Sequence, residues 1–197
     1  MTNLFYVASV TASVLSASVT LSAFQAPKDD HATAHDKPGH AHAENMDIPN
    51  KGVTVLATTK GNDVHGIITL TQVDDGVKIQ GKVTGLAPGK HGFHIHEFGD
   101  LTAADGTSAG GHFNPTGAKH GGPEDSDHHH GDLGNIDANS EGISEIDVTA
   151  KGLNLHLVLG RSLVIHAKAD DLKSQPSGDA GGRVAVGVIG IAQNTNK

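Results

Sequence analysis

The chain has 197 residues, enough for one ordinary domain plus appendages, and a formal charge of −8 that leaves no basic footprint for nucleic acid. It has no cysteine, which excludes disulfides and thiolate metal sites without identifying a compartment. Glycine is abundant at 26 and Trp is absent, a composition that favours a turn-rich β protein over a helical bundle, and the 15 histidines are the outlier.

Residues 1–26 carry no charged side chain, are apolar and Ser/Thr-rich, and have small residues near Ala23 and Ala26. They read as a secretory signal peptide, which makes the protein exported, periplasmic or extracellular, with no stable membrane association after processing. The usual Lys or Arg near the start is missing. Left uncleaved, the stretch would be a membrane anchor, although it is barely long enough to span and is diluted by Ser and Thr. Residues 27–50 are polar and poor in bulky side chains, and are expected to form a disordered linker. They hold His31, His35, His40 and His42. Such a tract suits weak, auxiliary metal capture, and suits a solubilising spacer equally well.

From Lys51 onward the apolar period becomes two. Strands are predicted over Val53–Ala57, Val64–Leu70 and Val77–Val83, with turn signals at Gly61-Asn62 and Asp74-Asp75-Gly76. Leu86-Ala-Pro-Gly89 turns the chain into the next strand, which carries His91, His94 and His96. Residues two apart on a strand share a face, so His94 and His96 can meet on one metal while Phe93 and Ile95 anchor the other face. A long loop follows from Gly99 to about Gly131, and an unstructured run of that length inside a compact domain is usually functional. Further strands are expected over Asp132–Ala138, Ile143–Val148, Leu155–His166 (as one strand or broken in two) and Arg183–Ile191. About eight short strands joined by Gly-rich turns imply an all-β sandwich or flattened barrel.

His-x-His alone is a weak signal, because imidazole suits several metals. It is strengthened by His112, His120, His129 and Asp132 in and just after the Gly-rich loop, and by His166 at the end of Leu163-Val-Ile-His166. One cluster and one distant strand histidine supply enough ligands for two metals. His65 and His156 sit in no motif and read as surface or structural residues; His128 and His130 read as solvated loop residues.

These segments resemble a known family, the copper–zinc superoxide dismutases. The resemblance is carried by Gly92-Phe-His-Ile-His-Glu-Phe-Gly-Asp100, Gly111-His-Phe-Asn-Pro115, His120-Gly-Gly-Pro123, His129-His-Gly-Asp-Leu-Gly-Asn135, Gly160-Arg-Ser-Leu-Val-Ile-His166 and Gly181-Gly-Arg-Val-Ala-Val-Gly-Val-Ile-Gly-Ile191, in the family's order. It covers residues 51–197 and implies an eight-stranded antiparallel Greek-key flattened barrel with long metal-binding loops. It implies copper on His94, His96, His112 and His166, an all-nitrogen set that suits Cu(II). It implies zinc on His112, His120, His129 and Asp132, a closed tetrahedral set of the structural kind. His112 would bridge the two metals and pass a proton. Asp170 would hydrogen-bond His94 and His120, fixing both rings. His91 would pack beneath the site without binding metal, and Arg183 would meet the anionic substrate, superoxide. Lys119 and Lys168 are further cations that could steer an anion toward a negatively charged chain.

The resemblance also marks a departure. The family joins the long loop to the last strand by a disulfide, at positions that are Gly106 and Val186 here. The bridge's usual contribution, about 2–4 kcal/mol, must come from metals and packing. Val188, Ile189, Gly190 and Ile191 resemble the apolar half of a homodimer interface. The implied activity is conversion of superoxide to dioxygen and hydrogen peroxide. The alternative is a noncatalytic copper-binding or copper-delivery protein on the same fold; degenerate members of that kind lose a copper ligand or the arginine, and this chain keeps all of them.

Overall fold

The computed structural model describes residues 48–193; the signal peptide expected over 1–26 and almost all of the His-rich linker, with His31, His35, His40 and His42, lie outside the described residues. The strands are β1 (Lys51–Thr58), β2 (His65–Val73), β3 (Gly76–Thr84), β4 (Gly89–His96), β5 (Asp132–Ala138), β6 (Ser144–Lys151), β7 (Ser162–His166), β8 (Arg183–Val188) and the two-residue β9 (Gly190–Ile191). A single helical turn, α1 (Leu155–Val158), precedes β7. Among the described residues, no helix is long and apolar enough to cross a membrane.

All pairings are antiparallel, in the order β5-β4-β7-β8-β1-β2-β3-β6, with β9 added to β1. β5 and β6 stand at the two ends of that order, yet they are consecutive in the chain and come back side by side. The sheet therefore closes almost completely into a barrel, leaving little free edge. β1, β2 and β3 form a meander. The chain then crosses to β4 on the far side, and β6 returns beside β3, which is a Greek-key connection.

Period-two patterning fills the interior. Ile68 and Leu70 of β2, Val77 and Ile79 of β3, Phe93 and Ile95 of β4, and Leu163 and Ile165 of β7 are fully buried in one core. Each such side chain contributes about 1.5–3 kcal/mol by leaving water. The alternate residues of β4 and β7 face the other way, and there they are His94, His96 and His166. The ladder registers shift between Gly92 and His94 against β5, and between Ile165 and His166 against β8. The irregularities fall beside these histidines, where a bulge re-aims a side chain.

Two expectations are corrected. Leu155–His166 is strand only in its second half. The Asn154 side chain accepts a hydrogen bond from the His156 N–H and caps α1, so that Leu155 and Val158 enter the core from a helical turn. The last strand breaks after Val188, because Ile189 leaves the β8 ladder to pair its backbone with Gly160 and Arg161. Ile189 is thereby fully buried, so within Val188–Ile191 the exposed apolar surface comes from Val188 and Ile191.

At the positions of the absent bridge, Gly106 (φ 77°) lies so close to β8 that a Cβ on it would fall 2.7 Å from Val186 Cγ2. Val186, Ala109 and Val164 form a small apolar cluster of their own. Ala104 accepts from the Lys60 N–H at 2.7 Å, and Ala109 from the Phe98 N–H at 3.0 Å. The loop is thus held to the barrel by packing and backbone bonds at the place where a covalent link would otherwise act.

Candidate metal centre

His94, His96, His112 and His166 come together with ligating nitrogens within 4.8 Å of one another, and His112, His120 and His129 do so with a carboxylate oxygen of Asp132. His112 belongs to both groups, and all seven residues are buried. The first cluster is built from β4, β7 and one loop residue. The second is built from the long loop and the first residue of β5. His112 reaches both because its backbone forms an isolated bridge to His96 at the end of β4. Its ring stacks on His94 with centroids 3.9 Å apart.

The outward-facing nitrogens settle the tautomers, since each meets an acceptor that has no proton to give. His94 Nε2 donates to Asp170 Oδ2 at 2.7 Å, His96 Nδ1 to Gly110 O at 2.9 Å, and His166 Nδ1 to Gly181 O at 3.0 Å. The other nitrogen of each ring then carries a lone pair. His96 Nε2 and His166 Nε2 face each other at 3.2 Å as two lone pairs. His94 Nδ1 and His112 Nε2 are buried without any hydrogen-bond partner. Unpaired buried acceptors converging on one point are unfavourable alone and are satisfied by a cation.

The second cluster repeats the argument. His120 Nε2 donates to Asp170 Oδ1 at 2.9 Å, so its Nδ1 presents a lone pair, 3.1 Å from Asp132 Oδ1 but in no hydrogen bond. The distance alone suggests an ion pair, but a lone pair facing a carboxylate attracts only through a cation between them. His112 Nδ1 and His129 Nδ1 lie 2.7 and 3.2 Å from the same oxygen. Asp132 Oδ2 accepts from the N–H groups of Gly121 and His129 at 3.1 and 2.9 Å, which aims Oδ1 inward.

Electrostatics keep these groups in their ligating forms. Burial pushes His94 down to about 4 and His166 down to about 3, and takes His96 well below its ordinary value. These three imidazoles are therefore neutral at physiological pH. Burial would raise Asp132, but the His112 hydrogen bond, the Gly121 N–H and the nearby His120 and His129 outweigh it and hold the carboxyl well below the usual range. Asp170 is lowered against the same opposition from burial, chiefly by hydrogen bonds from His94 and His120.

The first cluster opens on a cavity of about 450 Å³ whose wall includes His96, His112, His166 and Arg183. The Arg183 guanidinium donates to the carbonyls of Gly106 and Gly110. Two of its five N–H groups are so used. Lys119 and Lys168 are exposed and lie outside this wall. His91 joins neither cluster: its Nδ1 meets His166 O at 2.7 Å and its Nε2 meets Ala87 O at 2.8 Å, tying the turn before β4 to the end of β7. His65 and His156 are exposed. His128 Nδ1 is engaged by Asp125 O at 2.7 Å, and His130 packs edge-on against Phe113.

Asn135 escaped the sequence reading although it ends one of the quoted motifs. Its side-chain amide donates to Asp170 O at 2.9 Å and accepts from the Asp170 N–H at 2.7 Å, fixing the backbone that carries the bridging carboxylate. The sequence signal was an amide on β5 next to the buried Ile136, which is too common a pattern to single out.

A family model described as copper/zinc superoxide dismutase matches residues 64–189, more than half of the chain.

Proposed function

The chain belongs to the copper/zinc superoxide dismutase family, and from that premise we propose that it is a working superoxide dismutase with copper at the first cluster and zinc at the second. Copper in an all-imidazole site would supply one-electron chemistry, taking an electron from one superoxide and giving it with two protons to the next, so that dioxygen and hydrogen peroxide leave. His94 Nδ1 and the Nε2 atoms of His96, His112 and His166 are the ligand atoms for that ion. The Nδ1 atoms of His112, His120 and His129 with Asp132 Oδ1 make the closed structural site for zinc. Arg183 supplies a fixed cation that draws and orients the anion, a task a guanidinium performs without titrating. His112 Nε2, buried and without a hydrogen-bond partner, would hold one of the protons only when its lone pair is not given to copper.

The observation that carries this reading is the pair of opposed lone pairs on His96 and His166, 3.2 Å apart in the wall of the same cavity as Arg183. A copper-delivery protein would need the imidazoles but not the arginine. His96→Ala should abolish dismutation and leave zinc content and the barrel's circular dichroism in place. Near-normal activity in the copper-loaded variant sinks the assignment; a copper-loaded wild-type protein without dismutation favours the delivery reading.

We further propose a homodimer through exposed apolar surface around Val188 and Ile191. Val188 borders Gly99, whose Cβ would meet Val188 Cγ1 at 3.2 Å, and the neighbouring Phe98 is exposed, as is Leu157. Phe98→Glu should convert a dimer to a monomer in sedimentation. A wild-type protein that sediments as a monomer at micromolar concentration removes this part.

A further inference from the structure

The loop between β7 and β8 reaches back to the second cluster through a contact that the ligand geometry does not require. Gln175 lies 55 residues from His120 in sequence, yet its amide meets both backbone polar groups of that residue. The His120 N–H donates to Gln175 Oε1 at 2.9 Å, and Gln175 Nε2 donates to the His120 carbonyl at 2.9 Å. The result is the closed pair of bonds that a neighbouring strand would make, supplied by a side chain. Among the described residues, no backbone group pairs with either polar group of His120. Gln175 Nε2 also donates to Lys173 O at 3.1 Å, which orients the amide from its own side of the loop.

Three residues later the same loop closes over the His120 ring. Gly178 has φ 65°, and a Cβ on it would fall 1.7 Å from Asp170 Oδ1 and 2.6 Å from His120 Nε2. Its backbone therefore covers the Asp170–His120 hydrogen bond. Between these two contacts, Pro176 and Ser177 form part of the wall of the cavity on the first cluster. One short segment thus fixes the backbone of a second-cluster residue, shields its ring and shapes the entrance to the other cluster.

Resting on the zinc assignment above, the geometry points to Gln175 as a positioning residue that locks the His120 backbone, so retaining zinc and tying zinc occupancy to the position of the Pro176–Ser177 wall. Asp170 holds the ring of His120 by a hydrogen bond, Asp132 would hold its other nitrogen through the metal, and Gln175 holds the main chain from which the ring extends. A ring held only at its edge would keep its contacts but lose its angle when the backbone shifts.

Zinc transfer from the fully loaded, full-length protein to a chromophoric chelator tests this, timed for wild type, Gln175→Ala and Gln175→Glu. The Glu variant keeps an acceptor for the His120 N–H but opposes a carboxylate to the His120 carbonyl. Zinc should leave both variants about tenfold faster, the lower end for groups supporting a metal ligand, because Gln175 is partly exposed. Copper retention and the melting temperature of the metal-free protein should not change. Cobalt substituted for zinc should show altered visible bands in both variants. Release within twofold of wild type in both variants overturns the inference. So does equal acceleration of copper and zinc loss together with a lower metal-free melting temperature, which would make the contact a general prop of the fold. If Asp132→Ala releases zinc no faster than wild type, the zinc assignment itself fails and takes this inference with it.

Discussion

Arg183→Glu should lower the dismutation rate by roughly 10²-fold or more at low ionic strength, because it replaces an attractive charge at the cavity wall with a repulsive one. The sign of the salt dependence should reverse as well. Added salt screens attraction in the wild type and slows it, whereas in the Glu variant it screens repulsion and speeds it. The structure adds a second consequence. Arg183 donates to Gly110 O, and the same carbonyl accepts from His96 Nδ1 at 2.9 Å. The arginine therefore helps hold the group that fixes the tautomer and angle of a first-cluster imidazole. Arg183→Lys keeps the charge but cannot span Gly106 and Gly110 with one planar fork, so it should lose an intermediate amount, about tenfold. Stopped-flow dismutation against ionic strength, on samples of known copper content, separates the two effects. A Glu variant within twofold of wild type at low salt would remove Arg183 from the reaction.

The sequence was informative where one residue's pattern decides its surroundings. On β4, alternation alone puts Phe93 and Ile95 on one face and His94 and His96 on the other, and the barrel has that arrangement. It was uninformative where a partner far along the chain decides. Leu155–Val158 is apolar enough for strand or helix, and the deciding contact is the Asn154 cap. Ile189 points inward because its backbone changes partner from β7 to the Gly160–Arg161 turn, an exchange that no local pattern encodes. The amides of Asn135 and Gln175 matter because of which backbone lies within 3 Å of them. Their residue type says only that they can both donate and accept.

Chelation should lower the melting temperature by about 10–15 °C. A metal held a thousandfold above its dissociation constant adds about 4 kcal/mol to stability, and each 1 kcal/mol moves the melting temperature by about 2–4 °C at this size. Zinc should account for most of the change, because three of its four expected ligands, His112, His120 and His129, lie in the long loop and the fourth, Asp132, begins β5. A reductant too weak to strip or reduce the metals should change nothing, since Gly106 and Val186 meet through packing and the chain has no sulfur pair. The metal-free protein should also respond to acid in a defined sense. His94 and His166 are held down to about 4 and about 3 in the fold, against 6.5 as the ordinary value. As pH falls below 6.5 the unfolded chain takes up protons that the folded chain refuses, so stability drops with pH across that interval. Asp132 and Asp170, held low in the fold, contribute above the ordinary carboxylate value of 3.8 and lose that contribution as pH falls through their folded values. Both groups of residues push the same way, and bound metal should amplify the loss, because protons then compete with it for the same nitrogens. Melting curves of holo, zinc-only and metal-free protein between pH 7.5 and about pH 4.5 read the histidine loss and the competition of protons with metal, while the carboxylate loss falls below that interval. A metal-free protein that melts within a few degrees of the holo form, or that is more stable at the acid end, would mean that the lone pairs facing one another in the two clusters cost the fold little, and that packing alone stands in for the missing bridge.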